Sequence, residues 1–156
     1  LMIRADVLVD NNSWKKYIRN PNIYIKNRLK KVEKKINMFK KNKFKFTLLL
    51  SDHKEIKKLN KKFRKKNKTT DILSFPFHEK KQIHNLIRKK NNNIYLGDII
   101  INLSKIIKQG KKKNFFIIFN KIWIHGLTHL LGCRHKSNKD FHVMQKLENK
   151  IIKSIE

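Results

Sequence analysis

Apolar positions along the chain fall into alternating runs and helical runs, and together they predict the elements. Residues 3–9 (IRADVLV) read as a first strand. Residues 23–38 place Ile23, Ile25, Leu29, Val32 and Ile36 at helical spacing. From Lys43 to Leu50 the pattern alternates about Phe44, Phe46, Leu48 and Leu50, which predicts a second strand. Ser51 or Asp52 can cap the next helix, which carries Ile56, Leu59 and Phe63. Asp71 to Phe77 is apolar and contains Pro76, which cannot donate to a ladder, so an edge strand is expected there. Residues 79–94 are polar and basic and are expected to form a loop. Tyr95 to Ile101 predicts a fourth strand, and Asn102 or Ser104 a short helix ending at Gly110. Phe115 to Leu131 is the most apolar helix. Asn138 can cap a last helix with Phe141, Met144, Leu147, Ile151 and Ile155 on one face. This mixture of strands and helices predicts an α+β fold, a single domain over residues 1–156.

Composition narrows the class. A content of 39% apolar residues, with ten Phe, excludes a wholly disordered basic tail. The lone Cys133 excludes a disulfide framework and fits a reducing cytosol. No run approaches the ~18–20 apolar residues of a membrane span, and the apolar start is too short for a secretory leader. A cytoplasmic location without membrane association is therefore the expectation. Forty Lys and Arg against 11 Asp and Glu give a formal charge of +29. That balance favours phosphate polyanions, whose condensed counterions are released on binding. Thirty-four of the cations are Lys and six are Arg, beside 18 Asn and one Ala. An AT-rich coding bias produces the same skew, so the charge excess has two possible sources.

Candidate chemistry concentrates in HGLTHLLGCRH, His125 to His135. His125 and His129 are one helical turn apart on one face, close enough to share an ion. Gly132 can adopt the left-handed conformation that ends a helix and can turn His135 back toward the same point. Three imidazoles with one open position is the donor set of catalytic zinc. The ligand spacing matches the metzincin zinc helix, but Gly126 stands where a peptidase has its glutamate base. A glycine inside a helix costs about 1 kcal/mol against alanine, which suggests a close approach to the backbone there. The other histidines, His53, His78, His84 and His142, show no such spacing and read as surface residues.

HGLTHLLGCRH resembles the H-G-x-L-H-L-x-G-x-D-H signature of the YbeY family of endoribonucleases. Leu59 to Phe77 (LNKKFRKKNKTTDILSFPF) and Leu96 to Ile101 (LGDIII) resemble two further segments of that family. Met144 and Glu148 resemble its closing M-x-x-x-E. The resemblance covers residues 44–156 by motif and residues 1–43 by layout. It implies a small mixed sheet of about four strands with packed helices and one Zn²⁺ in a cleft beside the sheet. It implies His125, His129 and His135 as the ligands and a functional Arg64. It further implies cleavage of single-stranded RNA, maturation of ribosomal RNA including the 3′ end of 16S rRNA, ribosome quality control, and contact with the ribosome or small-subunit proteins.

The residues themselves add to that reading. Arg64, with His125, is a candidate for the catalytic machinery: its planar fork of donors suits the charge that develops on a phosphodiester under attack. Asp71, Ser74 and Asp98 read as structural. The sequence departs from the family at Arg134, which occupies the position of an Asp next to the third His. A carboxylate there could orient a ligand or carry a proton; a guanidinium can do neither. The alternative is a non-catalytic RNA- or ribosome-binding factor with a structural metal. The sequence is silent on oligomeric state.

Overall fold

The computed structural model describes residues 1–90, 93–110 and 114–156. Four strands, β1 (Ile3–Val9), β2 (Phe44–Ser51), β3 (Ile72–Pro76) and β4 (Ile94–Asn102), form one sheet in the order β1-β2-β4-β3. β1, β2 and β4 run parallel; β3 pairs antiparallel with β4 and lies at the edge, as its proline requires. The helices are α1 (Pro21–Lys35), α2 (Asn37–Lys41), α3 (His53–Arg64), α4 (Lys80–Arg88), α5 (Leu103–Gln109), α6 (Phe115–Leu130) and α7 (Asn138–Ile155). This is the expected α+β architecture. No helix among the described residues is long and apolar enough to cross a membrane.

Alternation along the strands sorts the two faces of the sheet. Phe44, Phe46, Leu48 and Leu50 point into the main core with Ile94, Leu96, Ile99 and Ile101. α1 and α6 cover this face, and α7 packs against both helices. On the other face α3 buries Ile56 against Leu73 and Ile100 in a smaller cluster. Trp14 plugs the main core, donating from its indole to the Ser51 carbonyl at 2.8 Å and meeting Phe115 and Phe119.

Four expectations are corrected. The helix expected over 23–38 breaks at Ile36, which is extended (φ −114°, ψ 114°). The break lets Phe39 on α2 turn inward and meet Phe44 edge-on at 5.6 Å. The stretch 79–94 is not a loop: Glu79 and Gln82 form a capping box that starts α4, and Ile83 is buried. Residues 91 and 92 of that stretch lie outside the described residues. On α7 the cap is Ser137, which accepts from the Asp140 amide at 3.2 Å, not Asn138. The expected inward Phe141 is 51% exposed, because the buried stripe begins a turn later at Met144.

Candidate metal centre

α6 lies across β3 and β4, and Gly126 faces both strands closely. A Cβ there would sit 2.8 Å from Ile72 Cδ1 and 2.9 Å from Ile99 Cγ2. The close approach suggested by this glycine is therefore to the neighbouring strands. α6 ends in a Schellman motif: the Gly132 amide donates to the His129 carbonyl and the Cys133 amide to the Thr128 carbonyl, with Gly132 at φ +90°. The reversal carries His135 back over the last turn of the helix.

The three imidazoles meet. One ring nitrogen from each of His125, His129 and His135 lies within 4.8 Å of the others. His125 Nε2 and His129 Nε2 face each other at 3.2 Å. Two nitrogens bound at ~2.0–2.1 Å in tetrahedral geometry stand about 3.3 Å apart, so the donor set fits a metal ion. The second nitrogens of His125 and His129 have partners. His125 Nδ1 contacts Glu148 Oε1 at 2.6 Å, and His129 Nδ1 faces the Cys133 carbonyl at 3.1 Å. An acceptor on Nδ1 holds the proton there and leaves Nε2 free to bind. Burial, with His125 beside it, lowers the His129 pKa from 6.5 to about 4. His129 is thus neutral at pH 7, the form that ligates. Burial raises the pKa of the Cys133 thiol, and Cys133 is not part of the cluster.

These histidines line a cleft of about 710 Å³. One wall is the cleft-facing side of β3, Ile72, Ser74 and Pro76; α4 contributes Lys80 and Lys81, and Arg134 reaches it from the turn after α6. Arg64, the last residue of α3, also lines the cleft and donates from Nη2 to the Ser74 carbonyl at 3.4 Å. Its position is set locally. Lys65 takes the left-handed conformation (φ 56°) and ends the helix. Buried Asn60 then pins the outgoing chain by donating to the Lys68 carbonyl at 2.8 Å. Asn102, fully buried at the end of β4, holds the next stretch through Thr69 Oγ1 and the Thr70 carbonyl. Asp71 accepts from the Thr70 hydroxyl, and Asp98 from the Tyr95 hydroxyl, so both have local structural partners.

Sequence reasoning missed His78 at this site and named Glu148 only as part of the closing motif, without a role. His78, read as a surface histidine, lines the cleft. Glu148 brings a carboxylate to His125 from α7, at a different histidine from the one beside Arg134. The signal was its spacing: four residues after the inward-facing Met144, it had to share the buried side of α7. Arg134 is exposed and adds a cation to the cleft.

Fold and site together define an α+β protein with a metal-type imidazole triad, no adjacent peptidase glutamate, and a cleft edged by cations. The family model "Endoribonuclease YbeY" matches residues 8–156. The chain belongs to the endoribonuclease YbeY family, whose members are hydrolytic nucleases. It is 43% identical to endoribonuclease YbeY of Pelagibacter ubique over 99% of this chain and 97% of the relative. It is 42% identical to endoribonuclease YbeY of Buchnera aphidicola subsp. Acyrthosiphon pisum over 87% of this chain and 84% of the relative. The solution structure of TM1509 from Thermotoga maritima shares the fold, with TM-score 0.54 and 24% identity over 96% of this chain and 88% of that one.

Proposed function

We propose that this chain is a zinc-dependent endoribonuclease that hydrolyses single-stranded RNA. We propose further that its substrate is ribosomal RNA, including the 3′ end of 16S rRNA, met at the ribosome in the cytoplasm. Membership of the endoribonuclease family supports the reaction class. The observation that carries the reading is the placement of three mutually close imidazoles in the same cleft as Arg64, Lys80, Lys81 and Arg134.

In this reading His125, His129 and His135 hold the ion, each through one ring nitrogen. An all-imidazole set suits zinc among the divalent metals. A divalent ion there supplies Lewis acidity toward water and phosphoryl oxygen. The chain's own residues do the rest. Glu148 and the Cys133 carbonyl fix the tautomers of His125 and His129. Arg64 offers a fork of donors to the non-bridging oxygens as their charge grows. Lys80 and Lys81 draw the neighbouring phosphates into the cleft.

The test is cleavage of a single-stranded ribosomal RNA fragment by purified protein, with and without chelator. Internal cuts that chelation abolishes and added zinc restores are the expected result. RNA that is bound but never cut, whatever the metal content, would instead favour a non-catalytic RNA-binding factor.

A further inference from the structure

Two exposed phenyl rings that the core does not use adjoin the cleft in sequence. Phe77 is 67% exposed and Phe63 is 59% exposed. Each is the immediate chain neighbour of a residue that lines the cleft, His78 and Arg64 respectively. The Phe77 ring meets His78 edge-on at 4.9 Å and Tyr95 at 5.7 Å. The Phe63 ring rests on Phe75 at 5.4 Å, and the Lys62 ammonium lies 5.3 Å from its centroid. β3, the edge strand, turns Ser74 and Pro76 toward the cleft and Phe75 to the opposite side, where the Phe63 ring packs on Phe75 and the Phe77 ring on Tyr95.

We propose that single-stranded RNA leaves the cleft over the open edge of β3, and that Phe77 and Phe63 are stacking platforms for the bases that have crossed that edge. This rests on the RNA-cleaving reading above and names how that site selects unpaired RNA. A base in a duplex has both faces covered by its neighbours, whereas an unpaired base can lay one face on a phenyl ring. The cations lie where the backbone would run: Lys62 and Arg64 beside Phe63, Lys80 and Lys81 shortly after Phe77. That interleaving of rings with positive charge matches a polyanion with aromatic bases. It does not match the continuous apolar patch of a protein interface. Pro76 also removes a backbone donor from the β3 edge, which weakens it as a site for adding a peptide strand.

The experiment measures steady-state cleavage of a short single-stranded RNA by the metal-loaded enzyme and its Phe77→Leu, Phe63→Leu and Phe77→Trp variants. Leucine keeps an apolar side chain but removes the π face. We expect each leucine variant to raise KM roughly 5- to 150-fold, the range of one lost base stack, with kcat little changed. Phe77→Trp keeps the wild-type KM. An abasic nucleotide at the stacked position abolishes the difference between wild type and Phe77→Leu. The preference for single-stranded over duplex RNA narrows in both leucine variants, and the slope of log affinity against log salt stays constant, since no phosphate contact is lost. Cleavage with unchanged KM in both leucine variants overturns the proposal while leaving the endoribonuclease reading intact. So does a change in self-association or protein capture without a change in KM. A wild-type protein that neither binds nor cuts RNA overturns both. Should Phe77→Leu fail to fold, Phe63→Leu and the abasic substrate on wild type still decide.

Discussion

Glu148 Oε1 lies 2.6 Å from His125 Nδ1 and ties the last helix to the histidine cluster. The carboxylate fixes the proton on Nδ1 and the orientation of the ring, so His125 presents Nε2 beside that of His129. Replacing Glu148 by Ala frees the ring and is expected to weaken zinc affinity about 10- to 100-fold, the usual cost of losing such a partner. Competition with a chromophoric chelator measures this directly. Glu148→Gln keeps a side-chain carbonyl acceptor and recovers part of the loss. Equal affinity in wild type and Glu148→Ala would show that the contact does not support the ligand.

Gly126 permits the contact between α6 and the sheet on which the cleft depends. Alanine there gains about 1 kcal/mol of helix propensity. It also forces its Cβ against Ile72 and Ile99 at under 3 Å. Ile72 can yield at its terminal methyl, but the Ile99 Cγ2 is fixed to Cβ on an inner strand and follows the backbone. Overpacking costs about 1–3 kcal/mol, so Gly126→Ala is expected to be neutral to destabilising by up to about 2 kcal/mol. Thermal unfolding measures the sign. A clear stabilisation would mean that the strands give way freely.

Much of this was legible in the sequence, because apolar spacing and glycine chemistry are local. All four strands, the edge position of β3 and the turn at Gly132 followed from alternation, Pro76 and the left-handed preference of glycine. What stayed hidden depended on neighbours far along the chain. α4 was masked by its lysines, although its capping box and the i, i+3, i+4 spacing of Ile83, Leu86 and Ile87 were present. The break at Ile36 answers to a pocket for Phe39 that only the folded core defines. Sequence neighbours of the histidines offered no carboxylate, whereas the fold brings Glu148 from α7 to His125, the first histidine of the cluster.

Asp52 caps α3, whose far end carries Arg64. Its Oδ1 accepts from the Glu55 amide at 3.1 Å and its Oδ2 from the Asn11 amide group at 3.0 Å. The backbone bond from Glu55, chiefly, lowers its pKa below the ordinary 3.8. The folded protein therefore holds the proton less tightly than the unfolded chain. The stabilisation is complete above the unfolded pKa and disappears as pH falls through the lower, folded one. Asp52→Asn keeps a capping oxygen but cannot titrate. The stability gap between wild type and Asp52→Asn should accordingly shrink below about pH 4 and stay constant between pH 5 and 8. Chemical denaturation at several pH values reads this, and a gap that widens on acidification would contradict the cap's role.

Arg64 is one of six arginines among 40 cations, and it alone sits at the junction of α3 and the β3 wall of the cleft. If it meets phosphate charge with its planar fork, Lys is an incomplete substitute: it keeps the charge but offers a point donor. Arg64→Ala is expected to lower kcat/KM on RNA by roughly 10- to 150-fold, the equivalent of one charge-assisted hydrogen bond of about 1.5–3 kcal/mol. Arg64→Lys should restore the salt dependence of RNA affinity but only part of the rate. On single strands each phosphate contact adds about 0.7 to the slope of log affinity against log salt, so Arg64→Ala should flatten that slope by a similar amount. Titrations at several salt concentrations, run beside the kinetics, separate the two effects. A lysine variant with full activity would reduce Arg64 to a bare positive charge.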